Sequence, residues 1–301
     1  MTTEIENLIN NINNININVD TTENLVPTPY RVSTITCNGS LGSSIDLNIL
    51  YKNVKLSDAC DVGNFVWVEF GTHNSRGIYP KKRRPNLTDR KSFDNQVTMI
   101  YKIREGYAPN IKVFRNGNIQ MTGIRSPDDG KNMVELISNE VKRIAVDVDP
   151  LITRMDEIKP CDFKIRMINS DFSFDFRIRR KDLHMLLISN KYNTISSFQP
   201  GTYPGVKIQY FWNEKSTTKN GHCECRNQCH GRGENVAIPL IEPLQPLDKQ
   251  CKKVTVSVFE SGKILITGAT SYEQIDEAYA YIVKVIQENI NHIKKVNIPC
   301  F

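Results

Sequence analysis

Nowhere in these 301 residues does an apolar run approach the roughly 18 residues that a membrane helix needs. The start, Met1-Thr2-Thr3-Glu4-Ile5-Glu6, carries no positive charge and no long apolar core, so no secretory signal is expected. Without export, the eight cysteines are expected as reduced thiols or metal ligands rather than a disulfide framework. No Gly-rich phosphate loop, no His-Glu-x-x-His and no Ser-His-Asp set stands out, so catalysis is not expected. Lys and Arg are missing from residues 1–30, which carry −4; the overall +6 therefore concentrates as +10 on the remainder. A basic body suits a polyanionic partner, solubility being the plain alternative.

What is present is a repeat. Residues 113–123 read V-F-x-x-G-x-I-x-x-T-G, and residues 258–268 read the same, 145 positions later. A repeat at that distance means a duplicated domain, not a solenoid. Each copy has the form of a β-hairpin: alternating apolar residues, a turn containing Gly, then alternation up to Thr-Gly.

The surrounding elements repeat too. In the first half a strand is expected over 31–36, and then a short helix over 47–53 capped by Asp46. A strand over 97–103 follows, and then the hairpin 111–114/118–122. A helix opened by Ser126-Pro127-Asp128-Asp129 runs to about 145, with Met133, Leu136, Ile137, Val141 and Ile144 on one stripe. The second half offers strand 163–168, helix 182–189, strand 206–211, hairpin 254–259/263–267 and helix 271–291, with Ile275, Ala278, Ile282, Val285 and Ile286 inward. The expected fold class is α+β: two pseudo-symmetric repeats sharing a curved antiparallel sheet, helices on one face and the other face open. The expected divisions are a disordered Asn/Ile-rich tail over 1–29, a first repeat over 30–146, a linker over 147–160 and a second repeat over 161–301.

With its paired hairpins, Val32-Ser33-Thr34-Ile35, Phe163-Lys164-Ile165 and Tyr203-Pro204-Gly205, the chain resembles the TATA-box-binding protein family over most of 30–145 and 160–295. The divergence and the Asn/Ile/Lys-rich composition look like a factor of a large DNA virus. The resemblance implies a saddle whose concave face binds and bends double-stranded, AT-rich DNA through the minor groove to start transcription. No cofactor is required. It also implies a nucleus, or a cytoplasmic viral factory, as the compartment, and a transcription factor IIB-like protein or RNA polymerase as partner. Minor-groove hydrogen bonds separate A·T from G·C poorly. Readout then rests on apolar wedges and on steps that deform cheaply.

Carried over residue by residue, the family's wedging Phe positions fall on Phe114 in the first half and on Tyr203 and Phe259 in the second. The fourth falls on Gln96, with Phe93 as a displaced substitute. The family's central Asn positions fall on Tyr30 and Met167, so both amides are missing; nearby Asn169 is expected to point elsewhere. Thr122 and Thr267 match positions that approach bases. Val32, Ile165, Met121 and Ile266 face either the groove or the core, and Val32 and Ile165 are taken as groove contacts. Lys102, Arg104, Arg115, Arg125, Lys207 and Lys263 match positions near phosphates, where they would make binding salt-dependent. The loop that recruits transcription factor IIB matches Phe198-Gln199-Pro200-Gly201-Thr202, which has no acid. These departures leave a second reading open: a protein-interaction module with the same saddle and a decayed DNA face.

Two insertions interrupt the pattern. The first, about 61–95, contains Phe65-Val66-Trp67-Val68-Glu69-Phe70, expected as an extra strand, and a net +6 between Arg76 and Lys91. Its Lys81-Lys82-Arg83-Arg84 suits nuclear import, a phosphate contact or a solvated loop. The second, about 213–252, holds His222, Cys223, Cys225, Cys229 and His230, with Cys251 at its end. Cys223, Cys225 and Cys229, with Cys251 or a His, could hold a structural zinc; plain surface thiols are the alternative.

Overall fold

Runs of alternating β-branched and polar residues pair edge to edge into one open antiparallel sheet of eleven strands. It is seen in a computed structural model that describes residues 26–71, 74–80, 94–225, 230–231 and 251–295. The strands are β1 (Arg31–Ser40), β2 (Asn64–Phe70), β3 (Ser75–Gly77), β4 (Gln96–Lys102), β5 (Asn110–Phe114) and β6 (Asn118–Ile124). The second half adds β7 (Cys161–Ser173), β8 (Ser196–Ser197), β9 (Val206–Trp212), β10 (Lys252–Val258) and β11 (Lys263–Ala269). Their spatial order is β3-β2-β4-β5-β6-β1-β7-β11-β10-β9-β8. The halves therefore meet at β1 and β7, and the sheet is a saddle, not a barrel.

Helix α1 (Leu47–Asn53) starts where the Asp46 carboxylate accepts from the amides of Asn48 and Ile49. Helix α2 (Pro127–Asp147) starts where the Ser126 hydroxyl accepts from Asp129 N–H. Helices α3 (Arg180–Ile188), α4 (Tyr272–Glu288) and the single turn α5 (Ile290–Ile293) complete the second half. The apolar stripe of α2 buries Met133, Ile137, Val141 and Ile144; that of α4 buries Ile275, Ala278, Ile282, Val285 and Ile286. Leu136 lies at the stripe's edge, only half-buried. Both stripes pack on one face of the sheet. There Ile35, Val113, Met121, Ile168, Val256 and Ile266 are fully buried.

The repeated motif is explained twice over. Its first Gly closes the hairpin turn: Gly117 N–H donates to Phe114 C=O at 2.9 Å, and Gly262 N–H to Phe259 C=O at 3.1 Å. Both glycines have positive φ, and a Cβ would lie 2.0 Å from Ser43 O at Gly117 and 2.4 Å from Phe174 O at Gly262. Each turn is also gripped from behind. Leu41 and Ile45 donate to Gly117 and Arg115 carbonyls, while Phe174 and Ile178 donate to those of Gly262 and Glu260. The closing Thr-Gly marks an irregularity in each inner ladder, where the register shifts across 122–124 and 266–269; such bulges add twist.

Several expectations change. Order starts before Tyr30, since Thr28 N–H already donates to Ser173 C=O at 2.9 Å. The first strand of each half is longer than read. Strand β2 is not an extra strand: it occupies the place that β8 takes in the other half, and β3 is the addition. Most of the Asn/Ile-rich tail, the 81–84 basic run, Phe93 and Cys229 lie outside the described residues.

Candidate nucleic-acid interface

At the centre, β1 and β7 cross a pseudo-dyad. Their ladder pairs Thr34 with Asn169, Ile35 with Ile168 and Thr36 with Met167. It skips Ser33 on one side and Arg166 on the other, symmetry mates 133 positions apart, as are Thr34 and Met167. Ile35 and Ile168 face the helices, so Thr34, Thr36, Met167 and Asn169 stand together on the open face. Asn169 thus shares the face of Met167, two residues away, contrary to expectation. Its carboxamide oxygen is buried and makes no hydrogen bond within the described residues.

The same bulges reverse three other assignments. Val32 pairs with buried Ser170 and Ile165 with buried Cys37, and both pack against the main core. They belong to the helix-covered face and cannot touch a ligand in the saddle. Met121 and Ile266 are core residues as well. Tyr30 also turns to the helix side: its hydroxyl donates to Asp276 at 2.6 Å and its ring meets Tyr279 edge-on at 5.6 Å. Burial, and then the Asp276 carboxylate, push the Tyr30 hydroxyl up to about 12. By symmetry, Met167 has Thr34, not Tyr30, as its counterpart.

Toward the second half's outer end, Phe259 follows β10 on the open face and lies half-buried against Tyr203, with ring centroids 5.8 Å apart. Gly205 makes this possible, because a Cβ there would lie 2.9 Å from the Tyr203 ring and 3.2 Å from the Phe259 ring. Lys207 places its ammonium 4.1 Å from the Tyr203 ring centroid. Lys263 is exposed, and Thr255 faces Thr267 across the β10–β11 ladder on the open side. Behind Phe259, Glu260 pairs with Lys295 at 3.0 Å, with Arg180 at 2.9 Å and with Arg177. The Lys295 hydrogen bond, with the charge of Arg177, holds the Glu260 carboxyl below the usual range.

The first half is built differently. Phe114 faces Gln96 directly across the β4–β5 ladder, and the Gln96 amide reaches Thr98 Oγ1 at 3.4 Å. Around the Phe114 ring a shallow concavity of about 440 Å³ is lined by Asn38, Asn95, Asn116, Asn118 and Gln120. Arg115 is exposed at its rim. Thr122 sits on the open face beside Thr36. Farther out, Val66, Trp67 and Ile100 form a small separate cluster with Tyr79, Cys60 and Ala108.

The remaining basic candidates each meet a partner within the chain. Lys102 donates to Cys60 C=O at 3.0 Å and pairs with Glu105 at 2.6 Å, which raises its pKa. Arg104 and Arg125 stack on the Tyr107 ring at 5.3 and 4.6 Å. Burial pushes the Tyr107 hydroxyl up to about 12, and it donates to Asp129 at 3.0 Å. Lys102 is thereby held by the protein, while Arg104 and Arg125 stay exposed. Conversely, the ladders put Lys112, Lys164 and Lys253 on the open face, none of them singled out from sequence. Alternation against buried Val113 and Val254 and half-buried Ile165 is the signal that finds them. Arg31 is there too, paired with Asp171 at 3.0 Å.

The helix-free face of the saddle thus presents hydroxyls, amides, lysines and aromatic edges. Comparison with known proteins bears on the chain's family. The family model for "Transcription factor TFIID (or TATA-binding protein, TBP)" matches residues 246–289. The "TATA-box-binding protein-like" protein of Acanthamoeba polyphaga mimivirus is 31% identical over 283 residues, 88% of this chain and 66% of that one. The chain belongs to the TATA-box-binding protein family. The "TATA-box-binding protein" of Saccharomyces cerevisiae is a more distant family member, 25% identical over 64% of this chain and 57% of its own. The chain thus spans about two thirds or less of the length of these relatives. Among solved structures, "Methanococcus jannaschii TBP" aligns with a TM-score of 0.47 at 15% identity, over 87% of this chain and 99% of that one. No described helix is long and apolar enough to cross a membrane.

Proposed function

We propose that this chain is a transcription factor that binds AT-rich duplex DNA through the minor groove and bends it with its open face. The observation that carries the reading is the Tyr203–Phe259 pair. Two aromatic rings, tilted at 57° to each other, sit at the rim of a helix-free sheet, half-exposed, with Lys207 and Lys263 beside them. Side chains of that kind pry open a base step while the cations neutralise the flanking phosphates. Asn169, Thr34 and Thr36 at the pseudo-dyad offer hydrogen-bonding groups to the centre of such a site. No step on this face calls for a nucleophile or a general base.

The unequal halves give the proposal a direction. Phe114 has Gln96 where Phe259 has Tyr203, so the second half is the stronger wedge. The amide-lined concavity around Phe114 also favours the second reading, in which the first half serves a protein partner. The loop 198–202 offers that partner no carboxylate. Titrating AT-rich and GC-rich duplexes over a salt series, with Phe259→Ala alongside, separates the two. The proposal requires tighter binding to AT-rich DNA that weakens in Phe259→Ala; binding with no AT preference and no response to that substitution refutes it.

A further inference from the structure

The second insertion brings its cysteines together. Cys223 and Cys225 follow the end of β9, while Cys251 directly precedes β10. The Cys225 and Cys251 sulfurs are 3.7 Å apart and those of Cys251 and Cys223 3.9 Å apart, and all three lie within 4.8 Å of one another. A disulfide needs about 2.05 Å. Four thiolates at the usual Zn–S distance of about 2.3 Å sit at tetrahedron corners about 3.8 Å apart. The 3.7 and 3.9 Å separations match that edge.

We infer that Cys223, Cys225 and Cys251 form a structural zinc site. The three sulfurs supply three corners of the tetrahedron; among the described residues no further His, Cys, Asp or Glu joins them within the same reach. Cys251 is fully buried, and Asn213 donates its amide N–H to the Cys251 sulfur at 3.7 Å. A hydrogen bond of that kind stabilises a metal-bound thiolate and fixes its orientation. Zinc binding displaces one proton from each thiol, with no change of oxidation state.

The surrounding chain is braced at the same place. Phe211 N–H donates to Gly221 C=O and Lys253 N–H to Gly231 C=O, each at 2.8 Å, and His222 Nε2 lies 2.8 Å from Tyr192 O. A metal here closes the neck of the insertion onto the β9–β10 ladder, the ladder that carries Lys207 and Lys253. The site's role is to hold the insertion, and its existence does not depend on DNA binding.

The test uses the full chain purified without chelator. Elemental analysis is expected to find about one zinc per chain, lost in Cys225→Ser and in Cys251→Ser and kept in Cys161→Ser, which lies outside the cluster. Because a cluster variant can fail to fold, the wild type is also loaded with Co(II). The expected spectrum is tetrahedral, with sulfur-to-metal charge-transfer bands of the strength of at least three thiolates. Metal-free wild type, an octahedral Co(II) spectrum, zinc retained in folded Cys225→Ser, or a Cys225–Cys251 disulfide found by mass spectrometry without reductant would each overturn the inference.

Discussion

Removing Lys207 and Lys263 together gives the most quantitative check on the open face. Both are exposed, both belong to the second half, and they flank the Tyr203–Phe259 pair on strands β9 and β11. Each phosphate that a lysine neutralises contributes about −0.9 to the slope of log affinity against log salt. The double change to alanine should therefore flatten the slope by about 1.8. At about 0.1 M salt the two counterion terms together amount to roughly 60-fold in affinity, shrinking toward nothing near 1 M. Lys284→Ala is the control: its ammonium sits on α4, over the opposite face, 3.9 Å from Glu288. Fluorescence anisotropy with one AT-rich duplex at five salt concentrations reads all three proteins. An unchanged slope in the double variant, or an equal flattening in Lys284→Ala, would refute the placement of DNA on the open face.

Three further outcomes are expected. Phe259→Ala should reduce DNA bending, read by end-to-end energy transfer, more than Phe114→Ala does; equal losses would remove the asymmetry argument. Gly262→Ala should lower unfolding free energy by about 2–4 kcal/mol, from a strained positive φ and a Cβ against two carbonyl oxygens; a denaturant midpoint near wild type would show that the turn can relax. Tyr30→Phe should cost about 1 kcal/mol or less, through the lost Asp276 hydrogen bond. Its folded-state pKa, about 12, lies above the ordinary tyrosine value near 10, so this contribution is complete below pH 10 and fades as pH rises toward 12. The variant should accordingly show a flatter alkaline stability limb, and an unchanged limb would contradict the contact.

Much of this architecture could be read from the chain, because the informative signals are local. The Asp46 and Ser126 caps, the two helix stripes and the V-F-x-x-G turns all depend on residues within a few positions of one another. What escaped the reading depends on register between distant strands. One bulge at Ser33 and its mate at Arg166 break the two-residue period, and no residue type announces them. They send Val32, Ile165 and Tyr30 toward the helices. Met167 and Asn169 flank buried Ile168 together, so the missing central amide was closer than expected. Lys102 is held by Cys60 and Glu105, and Arg104 and Arg125 lie over Tyr107; these partners come from connecting segments whose conformation has no periodic signature.

The order of the sheet also bears on how copies of this chain behave at high concentration. An open sheet exposes two edges, and a long flat edge is a template for uncontrolled strand addition. Among the described residues the outermost strands are β3, with three residues, and β8, with two. Each offers only two or three residues of backbone for a neighbour to pair with. Rims this short leave the broad open face, not the sheet edges, as the large uncovered surface of the fold.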